Sequence, residues 1–172
     1  AASSDPTLGE LDFDPAKQKF PFPNTQVLTA TTGPNLNDLQ VAIPVVPSDT
    51  PTGAALKGGL NTLDGFSTTA PITLTASHNV DPVTLSRSVV MYRVNDQGMV
   101  QTGTVAIVVV TATVPAGSSA PILIYPRGPL AENTTYVIAV KAGLLDTDGR
   151  PFRRSATYNL ASYPLPLVVD GE

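Results

Sequence analysis

Side chains able to do chemistry are few and scattered along this 172-residue chain. His78 is the only imidazole. A serine hydrolase needs a nucleophile, a base and an orienting acid, so His78 would have to be the base. No Gly-x-Ser-x-Gly elbow occurs. Ser118 and Ser119 lie in Gly117-Ser-Ser-Ala-Pro121, which has the composition of a loop. His78 reads as a loop residue ahead of Val80-Asp-Pro82, and no catalytic residue is assigned. Asp146-Thr-Asp148-Gly149 is spaced like the opening of a calcium loop. Such a loop needs further oxygen ligands and a distal bidentate carboxylate. Arg150, Arg153 and Arg154 follow instead, and cations there oppose a second cation. Asp146 and Asp148 are therefore weak metal candidates on a hairpin turn, and neither metal nor cofactor is expected. Without cysteine there is no disulfide, no thiolate catalysis and no Cys-based zinc or iron–sulfur site. Asn133-Thr-Thr135 is a formal glycosylation sequon, silent if the source is bacterial.

Charge narrows the partners. Ten Lys and Arg against fourteen Asp and Glu leave a net charge of −4, with no footprint for nucleic acid. Arg150, Arg153 and Arg154 are the nearest thing to a basic cluster and read as a solvated turn. From Gln97 to Pro126 no residue is charged, but Gly98, Gly103, Pro115, Gly117 and Pro121 interrupt the stretch. Its apolar centre, Val105 to Val110, is far shorter than the ~20 residues of a membrane helix. No signal peptide is visible, and Ala1 is expected to be a processed start.

The elements that must position these residues are short. Val, Ile and Thr total 46, and Gly and Pro add 13 and 17. Branched side chains favour pleated strands, and Gly and Pro end them. Only 14% of residues are charged and 42% are hydrophobic, so the chain folds around a real core. Ile72, Leu74 and Ala76 alternate with Thr73 and Thr75. Val90, Tyr92 and Val94 alternate with Met91 and Arg93. Thr104 to Val114 reads as one long strand, with strands also at Pro121 to Tyr125, Thr134 to Ala142 and Ala156 to Leu160. Asn95-Asp-Gln-Gly98 and Asp146-Thr-Asp-Gly149 are turns. Strands at these intervals predict an all-β fold of two packed antiparallel sheets.

Upstream, the acidic residues 1–14 read as a flexible tether. Pro at alternate positions in Phe20-Pro-Phe-Pro-Asn24 enforces an extended strap that two Phe side chains can pin. Val41 to Val46 is an edge strand interrupted at Pro44. Thr52 to Phe66 is the one helix candidate, weakened by Gly58 and Gly59, with one or two turns expected around Leu60 to Asp64 and Thr52 as cap.

Two regions resemble known families. Val80-Asp-Pro-Val-Thr-Leu85 with Val89-Val-Met-Tyr92, and Pro129-Leu-Ala-Glu-Asn-Thr-Thr-Tyr-Val-Ile-Ala-Val140 with Gly143-Leu-Leu-Asp-Thr-Asp-Gly149, resemble bacterial Ig-like domains of extracellular proteins. Phe13-Asp-Pro-Ala16, Phe20-Pro-Phe-Pro-Asn24 and Leu60-Asn-Thr-Leu-Asp-Gly-Phe-Ser-Thr-Thr-Ala-Pro71 are similar to the N-terminal domain of bacterial extracellular, virulence-factor lipases. The resemblance implies an Ig-like antiparallel β-sandwich with an extended N-terminal segment and one short helix. The expected organisation is a tether at 1–19, a strap, edge strand and short helix at 20–69, the sandwich at 70–161 and an exit linker at 162–172. The implied role is a non-catalytic accessory domain, spacer or packing partner of a downstream α/β-hydrolase domain. It would be exported to the extracellular or outer-membrane surface of a Gram-negative bacterium, with a lipid anchor upstream. The alternative is a free-standing Ig-like binding or adhesion module for glycan, lipid surface or protein. Within Thr104 to Val114, Val105 to Val110 is apolar on both faces; either another element of the chain covers the second face, Thr52 to Phe66 with the Phe20 to Phe22 strap being the expected cover, or a partner domain does.

Overall fold

A computed structural model describes residues 8–14, 19–30, 39–95, 97–155 and 157–158. In chain order the elements are β1 (Leu28–Ala30), β2 (Leu39–Val41), α1 (Pro51–Leu60), β3 (Ile72–Ala76), α2 (Pro82–Ser88), β4 (Val89–Val94), β5 (Ile107–Thr111), β6 (Ala120–Pro126) and β7 (Thr135–Val140). One sheet runs β3-β6-β5, a second pairs β4 with β7, and β1-β2 form a small ribbon; all pairings are antiparallel. This is the expected Ig-like β-sandwich.

Side-chain alternation explains the packing. β3 turns Ile72, Leu74 and Ala76 inward, and β6 turns Ala120, Ile122 and Ile124 the same way. They meet Val89 and Met91 of β4, with Val80, Leu85 and Leu144 closing the ends. Met91 and Ile124 are wholly buried. Burial of each such side chain contributes about 1.5–3 kcal/mol. On β4 it is therefore Val89 and Met91 that face the core, while Val90 and Tyr92 sit on the half-buried outer side.

Several expectations need correction. The helix does not lie around Leu60 to Asp64. It spans Pro51–Leu60, with Thr50 Oγ1 accepting from Gly53 N–H and Pro51 opening the first turn. The cap overrode the cost of Gly58 and Gly59, and a bond from Lys57 to Asp49 at 2.8 Å ties the helix down. A second helix, α2, was not expected. Asp81 caps it by accepting from Val83 and Thr84 N–H, again ahead of a proline. The edge strand is Leu39–Val41 only and ends before Pro44.

The long strand from Thr104 to Val114 is two pieces. Val105 bridges Met91 of the second sheet, whereas Ile107 onward pairs with β6 of the first. The chain therefore changes sheet between Val105 and Ile107. Val105, Ile107 and Val109 pack on the core. The opposite side is not covered by α1 or the strap: Val108 and Val110 are 40% and 41% exposed. The expected strand at 156–160 lies almost wholly outside the described residues, and the two that are described, Thr157 and Tyr158, are helical. The exit linker at 162–172 lies outside them altogether.

The tether expectation also fails where residues are described. Asp12 N–H donates to Thr75 O, Ser77 N–H to Glu10 O and Arg153 N–H to Gly9 O. Arg153 Nε meets Glu10 Oε1 at 2.6 Å. Gly9 lies so close to the Phe152 ring that a Cβ there would stand 2.7 Å from it. The acidic composition reads as solvated, but Glu10 and Asp12 have partners more than sixty residues away in sequence. Further on, Phe22 exchanges two backbone hydrogen bonds with Thr73, and its ring stands edge-on to Phe66 at 5.4 Å.

Candidate functional site

The sequence-chosen residues do not converge. His78 Nδ1 lies 3.0 Å from the neighbouring Ser77 Oγ. Ser118 and Ser119 are exposed in the turn before β6. Asn133 is exposed at a left-handed backbone position, φ 50°.

Asp146 and Asp148 do share one turn, Val80 bridging Asp146 and Leu145 bridging Pro151 around it. Asp146 is only 2% exposed. Its Oδ1 accepts from Asp148 and Arg150 N–H at 2.9 and 2.8 Å, and its Oδ2 from Arg150 Nε at 2.9 Å. Arg150 also bonds Asp148, so one guanidinium spans both carboxylates. Burial pushes the Asp146 pKa up, but the bonds from Arg150 and Asp148 outweigh it and the net shift is downward. The cation this turn holds is its own arginine. Gly149, at φ 81°, closes it as expected. Among the described residues no group of three or more His, Asp or Glu is placed to hold a metal ion.

The other two arginines of the cluster are also engaged. Arg153 pairs with Glu10, and Arg154 lies over the Tyr158 ring at 5.8 Å. Asn79, unnoticed in the sequence, donates to Val114 O and accepts from Val114 N–H, both at 2.9 Å. Nothing local signals that pairing, because its partner is 35 positions away. Asp81 had a readable signal in the Asp-Pro pair ahead of an apolar residue. These polar side chains act as pins for the fold.

What stays open is a surface. The outer side of β5 and β6 presents Val108, Val110, Leu123 and Tyr125, with Val108 directly opposite Tyr125 and Val110 opposite Leu123. Tyr125 is 38% exposed.

A family model described as bacterial Ig-like domain matches residues 43–162, more than two thirds of the chain. The chain belongs to the bacterial Ig-like domain family. No curated protein and no solved structure matches it. The match supports the Ig-like half of the sequence resemblance and carries nothing about lipases. It also begins at residue 43, upstream of the expected sandwich boundary at 70, so α1 lies within the Ig-like match. No helix among the described residues of this Ig-like domain is long and apolar enough to cross a membrane.

Proposed function

We propose that this Ig-like domain is a non-catalytic accessory module of an exported bacterial protein of the lipase type. It serves as spacer and packing partner for a downstream α/β-hydrolase domain at the outer surface of a Gram-negative cell, where an upstream lipid anchor would hold the protein. The observation that carries the reading is the uncharged face of β5 and β6, where Val108, Val110 and Tyr125 stay exposed. A sandwich strand normally wets its outer face with polar side chains. Valine on both sides of one strand leaves apolar area for a neighbour to cover. The similarity of residues 13–16, 20–24 and 60–71 to the N-terminal domain of extracellular lipases supports a hydrolase as that neighbour.

Val108→Asp tests the packing. In the isolated domain the carboxylate stays in water, so the urea midpoint should correspond to a loss under about 1 kcal/mol. If the face were covered, burial of an unpaired charge would cost several kcal/mol and unfold the domain. In the protein carrying its downstream domain, the same substitution should separate two unfolding transitions that are coupled in the wild type. Transitions unaffected by Val108→Asp would overturn the packing role. The non-catalytic role is tested with short and long acyl esters on the isolated chain, where no turnover is expected. Turnover abolished by a serine-directed inhibitor would refute it. A Gly-x-Ser-x-Gly elbow downstream in the open reading frame is expected; tandem copies of this domain in its place would overturn the hydrolase partner.

A further inference from the structure

A sheet edge carries a row of backbone N–H and C=O groups that either find a partner or stay open to one. The two sheets of the sandwich end in β3, β5, β4 and β7. On the free side of β3, Leu11 bridges Ala76 and Phe22 bridges Thr73. Beside β4, Val105 N–H donates to Met91 O and Gln101 N–H to Arg93 O, both at 2.8 Å. α2 packs against β5, with Leu85 buried in the core. β7 differs: among the described residues nothing pairs with the side that faces away from β4.

The phase of the β4–β7 ladder is fixed by Lys141 N–H, which donates to Ser88 O at 2.8 Å. Antiparallel pairs alternate between exchanging both bonds and exchanging none. Thr135, Val137 and Ala139 therefore turn their backbone groups to β4. Tyr136, Ile138 and Val140 turn theirs outward, where they have no partner among the described residues. Exposed edges are commonly guarded by Lys, Pro or a bulge. Thr135–Val140 has no charge, no proline and an unbroken register with β4. Val137 and Val140 are each 38% exposed. Spare groups at every second residue of an uncharged strand fit one kind of occupant, another extended strand. A second copy of β7 matches the spacing. With a two-fold axis at Ile138, Tyr136 faces Val140 of the second copy and Ile138 faces its own counterpart, giving about six hydrogen bonds. Val137 then faces Ala139 of the second copy and Lys141 faces Thr135, so no like charges meet along the strands.

We propose that two copies of this chain pair through their β7 edges, antiparallel and centred on Ile138, so that β4-β7 of each forms half of one four-stranded sheet. This goes beyond the accessory role and is independent of it, since β7 lies in the other sheet from the Val108 face. Sedimentation equilibrium on the 172-residue chain from about 10 µM to about 1 mM should show a mass rising from one chain towards two. Amide exchange at the dilute end should be fast at Tyr136, Ile138 and Val140 and slow at Val137 and Ala139, and the first three should gain protection as concentration rises. In the pair, Val137 lies diagonally across the axis from its counterpart, within reach of a long side chain. Val137→Lys and Val137→Glu should each weaken self-association at least about tenfold, and mixing the two variants should restore it. Val108→Asp should leave it unchanged. A single-chain mass throughout the range, no rescue on mixing, or association lost in Val108→Asp would overturn the proposal. So would protection of Tyr136, Ile138 and Val140 where the chain is still monomeric, which would show that the chain itself or a bound peptide already fills the edge.

Discussion

Deleting residues 1–12 from the isolated domain should lower its melting temperature by about 4–8 °C, corresponding to about 2 kcal/mol for a chain of this size. The deletion removes the backbone bonds of Gly9, Glu10 and Asp12 to Arg153, Ser77 and Thr75. It removes the half-buried Glu10–Arg153 pair, strips Leu11 from the core, and takes Gly9 away from the Phe152 ring. An exposed ion pair alone would be worth little. Here the pair joins the chain's N-terminal part to the hairpin that follows Asp146, so its loss accompanies the exposure of Phe152 and of the inner end of β3. Calorimetry on the truncated and intact chains measures the difference. An unchanged melting temperature would return this segment to the flexible tether its composition suggests.

Asp146→Ala should cost about 3 kcal/mol in urea unfolding. The carboxylate takes three hydrogen bonds, one of them from a guanidinium, and bonds to a charged group contribute about 1.5–3 kcal/mol each. Water can reach Arg150, which is 40% exposed at its side chain, and so recovers part of the loss. It cannot easily reach the inner side of the turn, where Leu144 is buried and Asp81 N–H donates to Leu145 O. The turn therefore supports both the core and the start of α2. A midpoint within about 0.5 kcal/mol of wild type would show that the three bonds are dispensable.

The same carboxylate gives the domain an acid dependence of definite sign. Asp146 has a folded pKa below the ordinary 3.8. So has Asp81, through the backbone bond from Thr84, and Asp49, through the bond from Lys57. Between the lower folded values and 3.8 the unfolded chain binds more protons than the folded one, so stability rises with pH there. It is fully present above about 3.8 and lost as pH falls through the folded values. Urea midpoints measured from pH 6 to about pH 2 should be flat and then fall below about pH 4, and Asp146→Ala should fall less steeply. A wild-type midpoint flat across the whole range would refute the assignment.

The β class of this protein was written in its residue types. Val, Ile and Thr alternate with the pleat, so the inward set of β3 and the turn at Gly149 were legible without coordinates, because strand period and turn chemistry are local properties. Thr50-Pro51 and Asp81-Pro82 are equally local signals, and it is these caps, rather than apolar spacing, that set where α1 and α2 begin. Sheet assignment was not local. Nothing between Thr104 and Val114 marks the point where the chain leaves Met91 for β6; that depends on which partner's carbonyls and amides lie within reach. The acidic start gave no warning of its docking, since Glu10 finds Arg153 only after the sandwich has brought them together. For the same reason the bare face of Val108, Val110 and Tyr125 exists only in the folded chain. Composition determined that apolar residues must be buried, and tertiary packing decided which of them were left in water.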